Sequence, residues 1–90
     1  MTPLAPHLSA FLRDPLPRER GASQHTIASY AHCYRLLLSF AAERRKTRPS
    51  RIVIEDLDAT LICAFLDHLE AERSNTARSR NARLAAIHLL

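Results

Sequence analysis

Glycine is almost missing from this chain: Gly21 is the only one in 90 residues. Loops that cradle phosphate through G-x-x-x-x-G-K-[ST] or G-x-G-x-x-G need several, which argues against a nucleotide-cofactor site. Tight hairpin turns lean on glycine at positive φ, so a hairpin-rich β domain is disfavoured too. Tryptophan is absent, and the two cysteines, Cys33 and Cys63, have no C-x-x-C or zinc-type spacing. Both fall in apolar-periodic stretches, which predicts reduced, buried thiols in a cytoplasmic protein. No run approaches the ~20 apolar residues of a bilayer crossing. The stretch from Met1 to Leu12 lacks the basic start of a secretory signal.

Chemistry-bearing clusters are scarce as well. His32 and Cys33 are adjacent, but neighbours on a helix point about 100° apart and form no local nucleophile–base pair. His25 and His32 lie two turns apart, and H-E-x-x-H is absent, so no metal site and no cofactor is expected. Glu55, Asp56 and Asp58 suit a helix start better than acid–base work. Tyr30 and Tyr34 fall on an apolar stripe and read as core aromatics with hydroxyls reaching water.

What is present is a globular composition, 47% apolar and 24% charged, in a length that fits one small domain spanning residues 1–90. The net charge of +4 conceals three blocks. Residues 1–51 carry nine Arg/Lys against three acids; residues 52–72 carry six acids and no Arg or Lys; residues 73–90 carry four arginines and no acid. Such segregation points to a polyanion on one side of the fold, or to neutralisation between helices.

Periodicity predicts four helices. The first runs from about Pro3 to Arg13, capped by Thr2, with Leu4, Leu8, Phe11 and Leu12 in one stripe. The second runs from about Gln24 to Lys46 behind the cap Ser23. Its inner face is Ile27, Tyr30, Ala31, Tyr34, Leu37, Leu38 and Ala41, and its outer face Gln24, His25, His32, Arg35, Ser39 and Glu43. Ile52-Val53-Ile54 reads as a short extended strap. Asp58 caps a third helix, about Ala59 to Glu72, with Leu61, Ile62, Phe65, Leu66 and Leu69 inward. A fourth starts near Thr76, carries Ala77, Leu84 and Ile87, and is still running at Leu90. The expectation is an all-α bundle.

Two helix starts repeat one pattern: Ser23-x-x-Thr26 and Thr76-x-x-Ser79. Each places a hydroxyl at the cap and another in the first turn, where free N–H groups and the dipole favour phosphate. The same pattern would arise from capping preference alone. Beyond Thr26 the polar face offers Ser29, His32 and Arg35; the fourth helix offers Arg78, Arg80 and Arg83 with no acid near them in sequence. These starts and their basic company suit a DNA backbone.

Residues 23–30, Ser-Gln-His-Thr-Ile-Ala-Ser-Tyr, resemble the S-x-x-T-x-x-x-Y start of the N-terminal core-binding domain of tyrosine recombinases, the phage-integrase family. Glu55-Asp56-Leu57-Asp58 with Phe65-Leu66 resembles that domain's middle signature, and residues 76–87 its closing helix. Order and spacing agree from about Leu4 to Leu90. The resemblance implies an orthogonal, SAM-like bundle of four main helices forming half of a clamp on double-stranded DNA. It implies that Thr26, Ser29, His32 and Arg35 from the second helix, and Arg78, Ser79, Arg80 and Arg83 from the fourth, face the duplex. It leaves the first helix for contacts between recombinase subunits, with a homo-oligomer (a synaptic tetramer) in the full-length protein, cytoplasmic and nucleoid-associated when bound. The family's nucleophilic tyrosine, arginines, lysine and histidines belong to a second domain expected beyond Leu90, so no catalytic residue is expected here. Ala31 and His88 stand where the family often carries basic residues. A helical protein–protein module and a small helix-turn-helix regulator are the alternatives.

Overall fold

The fold grows from the helix that Ser23 starts. The Ser23 hydroxyl oxygen accepts the Thr26 backbone N–H at 3.2 Å, satisfying one of the donors that a helix start leaves unpaired. Behind it, 21 residues run without a break. The computed structural model describes residues 2–73 and 77–90. Among them are four α-helices: α1 (Leu4–Arg13), α2 (Gln24–Arg44), α3 (Ala59–Arg73) and α4 (Ala77–His88). The described residues hold one isolated antiparallel bridge, Pro3 with Val53, and no strand, so the domain is all-α. Its principal extents are 34 × 33 × 17 Å, a slab in which α2 packs against each of the other three helices.

The stripes fill the core largely as their spacing predicts. Leu4 and Leu8 from α1, Tyr34, Leu37 and Ala41 from α2, and Leu61, Phe65, Leu66 and Leu69 from α3 are buried together with Ile87 of α4. Phe11, Leu12, Tyr30, Leu38, Ile62 and Leu84 pack against this cluster half-buried. Fully burying side chains of this size stabilises by about 1.5–3 kcal/mol each relative to leaving them exposed. The polar face of α2 is exposed at Gln24, His25, His32, Arg35, Ser39 and Glu43, as expected. Ile27 and Ala31 stay outside the core cluster, and Cys33 and Ala42 take buried places instead. Leu16 is also buried, in the wide helical turn Pro15–Glu19 that follows α1.

Four boundaries differ from the sequence reading. Thr2 does not cap α1. It and Pro3 are extended, because Ile54 N–H donates to the Thr2 carbonyl at 2.8 Å and Leu4 N–H to the Ile52 carbonyl at 2.9 Å. The Ile52–Ile54 strap thus pairs with the N-terminus, and the helix can begin only at Leu4. Helix α2 stops at Arg44 rather than Lys46. Thr47 N–H reaches the Ala42 carbonyl and Lys46 N–H the Glu43 carbonyl, with Lys46 at φ 54° in the left-handed position that glycine normally occupies. Helix α3 extends to Arg73, and Asp58 caps it by accepting Leu61 N–H at 2.8 Å. Helix α4 ends at His88, where the sequence reading has it running on at Leu90; Leu90 N–H turns back to the Ile87 carbonyl. The expected cap Thr76 and the turn through Ser74 and Asn75 lie outside the described residues.

One side chain joins elements distant in sequence. The Tyr34 hydroxyl, read from sequence as wet, is buried and donates to the Ala86 carbonyl of α4 at 2.8 Å. The Tyr34 ring also meets Phe11 and Tyr30 edge-on, with centroids 6.3 and 6.1 Å away. Replacing Tyr34 by Phe should cost about 1–2 kcal/mol in urea-induced unfolding with no change of slope, because a buried carbonyl loses its donor. Lys46→Gly should raise stability by up to about 1 kcal/mol, since it relieves a left-handed residue.

Candidate functional site

Tyr34 holds α4 against α2, and the space above their contact is an open cleft of about 230 Å³. Ser29, His32, Tyr30 and Cys33 line one wall; Ser79, Ala82, Arg83 and Ala86 line the other. Segments about 50 residues apart therefore contribute to one site, and four of the eight sequence-predicted residues meet there: Ser29, His32, Ser79 and Arg83. On α2 they sit at i and i+3, and on α4 at i and i+4, the spacings that share a helix face.

Arg83 has the most unusual environment of the four. Its Nη1 atom is out of solvent and has no hydrogen-bond partner among the described residues. A guanidinium donor left this way is costly until an acceptor arrives. Its charge also acts on Cys33 beside it, favouring the thiolate, but burial outweighs that effect and pushes the Cys33 thiol up to about 11. Cys33 is thus a neutral cleft-wall residue rather than a nucleophile. Burial likewise raises the Tyr34 phenol far above its ordinary value, with smaller contributions from Cys33 and Tyr30, so it remains the protonated donor.

The other four predicted residues are arranged differently. Thr26 stays in the first turn of α2, where its side-chain oxygen accepts the Ser23 hydroxyl at 3.1 Å. Arg35 borders the neighbouring groove between α1 and α2, with Ala5, Leu12 and Leu38 among its walls. Arg78 is exposed on the first turn of α4 and has no ion-pair partner among the described residues. Arg80 turns toward α3: one Nη1 atom lies 2.9 Å from Asp67 and 3.2 Å from Glu70. The hydrogen bonds it donates to Asp67 and then to Glu70 hold that guanidinium even more firmly charged than usual. Among the described residues the acidic block thus neutralises Arg80, while Arg78 and Arg83 have no carboxylate partner there.

Sequence reasoning missed Tyr30, Cys33, Ala82 and Ala86 as cleft walls. Only Tyr30 among them lay on a predicted stripe, which gives inwardness but not which neighbour is met; Cys33, Ala82 and Ala86 lay off the stripes and carried no signal. Cys63 corrects the expectation of two buried thiols, because it lies on the outer face of α3 and is exposed. Among the described residues no group of three or more His, Cys, Asp or Glu could hold a metal ion, and no helix is long and apolar enough to cross a membrane.

An all-helical slab with a cleft between its second and fourth helices defines the class of module, and comparison with known proteins gives the family. Residues 8–90 match the model of the phage integrase N-terminal SAM-like domain, and the chain belongs to that family. It is 50% identical over 84 residues to a Sinorhizobium fredii protein provisionally named integrase/recombinase y4rD, covering 93% of this chain and 30% of that protein. It is 51% identical over 85 residues to the similarly named integrase/recombinase y4rC of the same organism, covering 94% of this chain and 26% of that protein. The chain thus spans less than a third of the length of these relatives. No solved structure matches it significantly.

The two thiols should be distinguishable in solution. A disulfide reagent at about pH 8 should titrate Cys63 at once and Cys33 only after denaturant is added. The folded state's preference for neutral Cys33 is fully present below pH 9.0 and is lost as the pH rises toward about 11, so stability should fall in that window.

Proposed function

We propose that this chain is the DNA-binding module of a site-specific tyrosine recombinase or integrase. It grips a recombination half-site through α2 and α4 and presents it to a catalytic domain elsewhere in the full-length protein. The observation that carries this reading is the α2–α4 cleft, which Ser29, His32 and Ser79 line together with Arg83, whose Nη1 has no partner among the described residues. Phosphate oxygens are acceptors of the kind that donor needs, and a concave cleft between helices receives a sugar–phosphate ridge more readily than a recessed base edge. Arg78 at the start of α4 and Arg35 on the flank of α2 extend the positive surface, while Arg80 stays with Asp67 and Glu70. Thr26 adds a hydroxyl beside the free N–H groups of the α2 start.

In this reading the fragment itself cuts no DNA. Tyr34 is buried and engaged as a donor, so it is not available as a nucleophile, and Tyr30 serves as a cleft wall that packs against the core. Strand breaking and rejoining belong to the parent recombinase, acting as an oligomer on DNA in the cytoplasm and associated with the nucleoid when bound. The relatives' names support that parentage.

The test is titration of a fluorescent duplex at two salt concentrations. Binding should be weak on arbitrary sequence and fall steeply with salt, by about 0.9 log units per log unit of salt for each phosphate neutralised. Arg78→Ala should weaken binding and lower that slope by about one contact, whereas Arg13→Ala on α1 should leave both unchanged. Equal binding at both salt concentrations, or none at low salt, would overturn the reading.

A further inference from the structure

The basic run that closes α2 takes no part in the α2–α4 cleft. Residues 44–51, Arg-Arg-Lys-Thr-Arg-Pro-Ser-Arg, hold five cations and no acid. Asp56 neutralises Arg45 at 3.2 Å. Lys46, Arg48 and Arg51 are exposed, and none has a carboxylate partner among the described residues. Their backbone is fixed: Thr47 N–H donates to the Ala42 carbonyl at 2.9 Å, Arg51 N–H to the Arg48 carbonyl at 2.9 Å, and Ile52 N–H to the Pro49 carbonyl at 3.2 Å. Fully buried Ile52 anchors the turn. Like charges held on a rigid turn repel one another, a cost that a polyanion removes.

The turn has a defined place relative to the cleft. It packs against α1 and α2, and Leu4 N–H, at the start of α1, donates to the Ile52 carbonyl at 2.9 Å. The next residues of α1, Ala5 and Leu8, wall the α1–α2 groove together with Leu38 and Arg35. Exposed Arg35 stands three positions beyond His32 of the cleft. Positive groups therefore follow α2 from Arg83 in the cleft, through Arg35, to Lys46, Arg48 and Arg51. Arg44 instead lies on the α3 side of α2, with Phe40, Glu43 and His68. From Ser29 to the end of α2 at Arg44 is 15 positions. That is about 22 Å at 1.5 Å per residue, or about six to seven base-pair steps of 3.4 Å.

We propose that the Lys46–Arg51 turn is a second phosphate-binding surface, taking the duplex backbone about six to seven base pairs beyond the part seated in the α2–α4 cleft. This surface rests on the α2–α4 reading, because the cleft fixes where the duplex starts. Guanidinium groups pair with phosphate through two parallel N–H donors, and a preformed turn loses little freedom when they do. Once the cleft is filled, the second contact is intramolecular and adds affinity without reading sequence. A duplex too short to span both surfaces gains nothing from the turn.

Titration of the 90-residue chain with fluorescent hairpin duplexes of about 8 and about 16 base pairs, at about 0.05 and 0.2 M salt, tests it. The longer duplex should bind about tenfold or more tightly. R48A/R51A should erase that advantage and lower the salt slope on the longer duplex by about two contacts, while changing the shorter one less than about twofold. R13A/R44A removes the same charge elsewhere and should leave both duplexes within about twofold, with helical circular dichroism unchanged in both variants. Equal affinity for the two lengths, or two double variants that behave alike, would overturn the second surface and leave the cleft standing. Arg78→Ala without effect on either duplex, with the R48A/R51A loss intact, would overturn the cleft and leave the turn as the phosphate surface. No binding to either duplex would overturn both.

Discussion

The hydrogen bond from Tyr34 to the Ala86 carbonyl spans 52 positions of sequence and sets where α4 lies on α2. With that relation set, Ser79 and Arg83 face Ser29 and His32 across a cleft. The phenol stays a donor because burial raises its pKa far from neutrality, so the tie does not depend on pH in any ordinary range. Its ring meets Phe11 of α1 and Tyr30 of α2, so one residue anchors three of the four helices.

A small all-helical domain buries only a modest core, and this one closes its periphery with short polar ties. The strap around Val53 pairs with residues 2–4, and Glu55 accepts the Thr2 N–H at 3.0 Å. Asp56 does two tasks: one oxygen accepts Val53 N–H at 3.0 Å, and the other meets Arg45 at 3.2 Å. The acidic signature before α3 is therefore largely architectural, fastening the N-terminus and the end of α2 to the same turn. That leaves Asp67 and Glu70 of α3 for Arg80.

How much of this was legible varies by residue. Helix existence was legible because apolar residues recur at the helical period and Ser23 and Asp58 are strong caps. Boundaries were less so: the start of α1 is decided by pairing with Ile52 and Ile54, and the end of α2 by Lys46 accepting a left-handed conformation despite its side chain. Half of the candidate site was legible, since Ser29, His32, Ser79 and Arg83 share faces by spacing. Arg80 escapes that reasoning because its partners lie on another helix, and Arg35 because a helix face adjoins two grooves.

By itself, the sequence determined that the chain is helical, where its inward stripes lie, and that its charges are segregated, because these follow from local spacing and composition. Tertiary structure alone decided which charges stay unneutralised. Electrostatic partnership depends on distances across helices, which spacing along one helix cannot specify. The scarcity of glycine illustrates both halves. It argued against phosphate-cradling loops and hairpins from composition alone, yet among the described residues the fold still holds two left-handed positions. Gly21 fills one, and Lys46 fills the other because the end of α2 has to turn there.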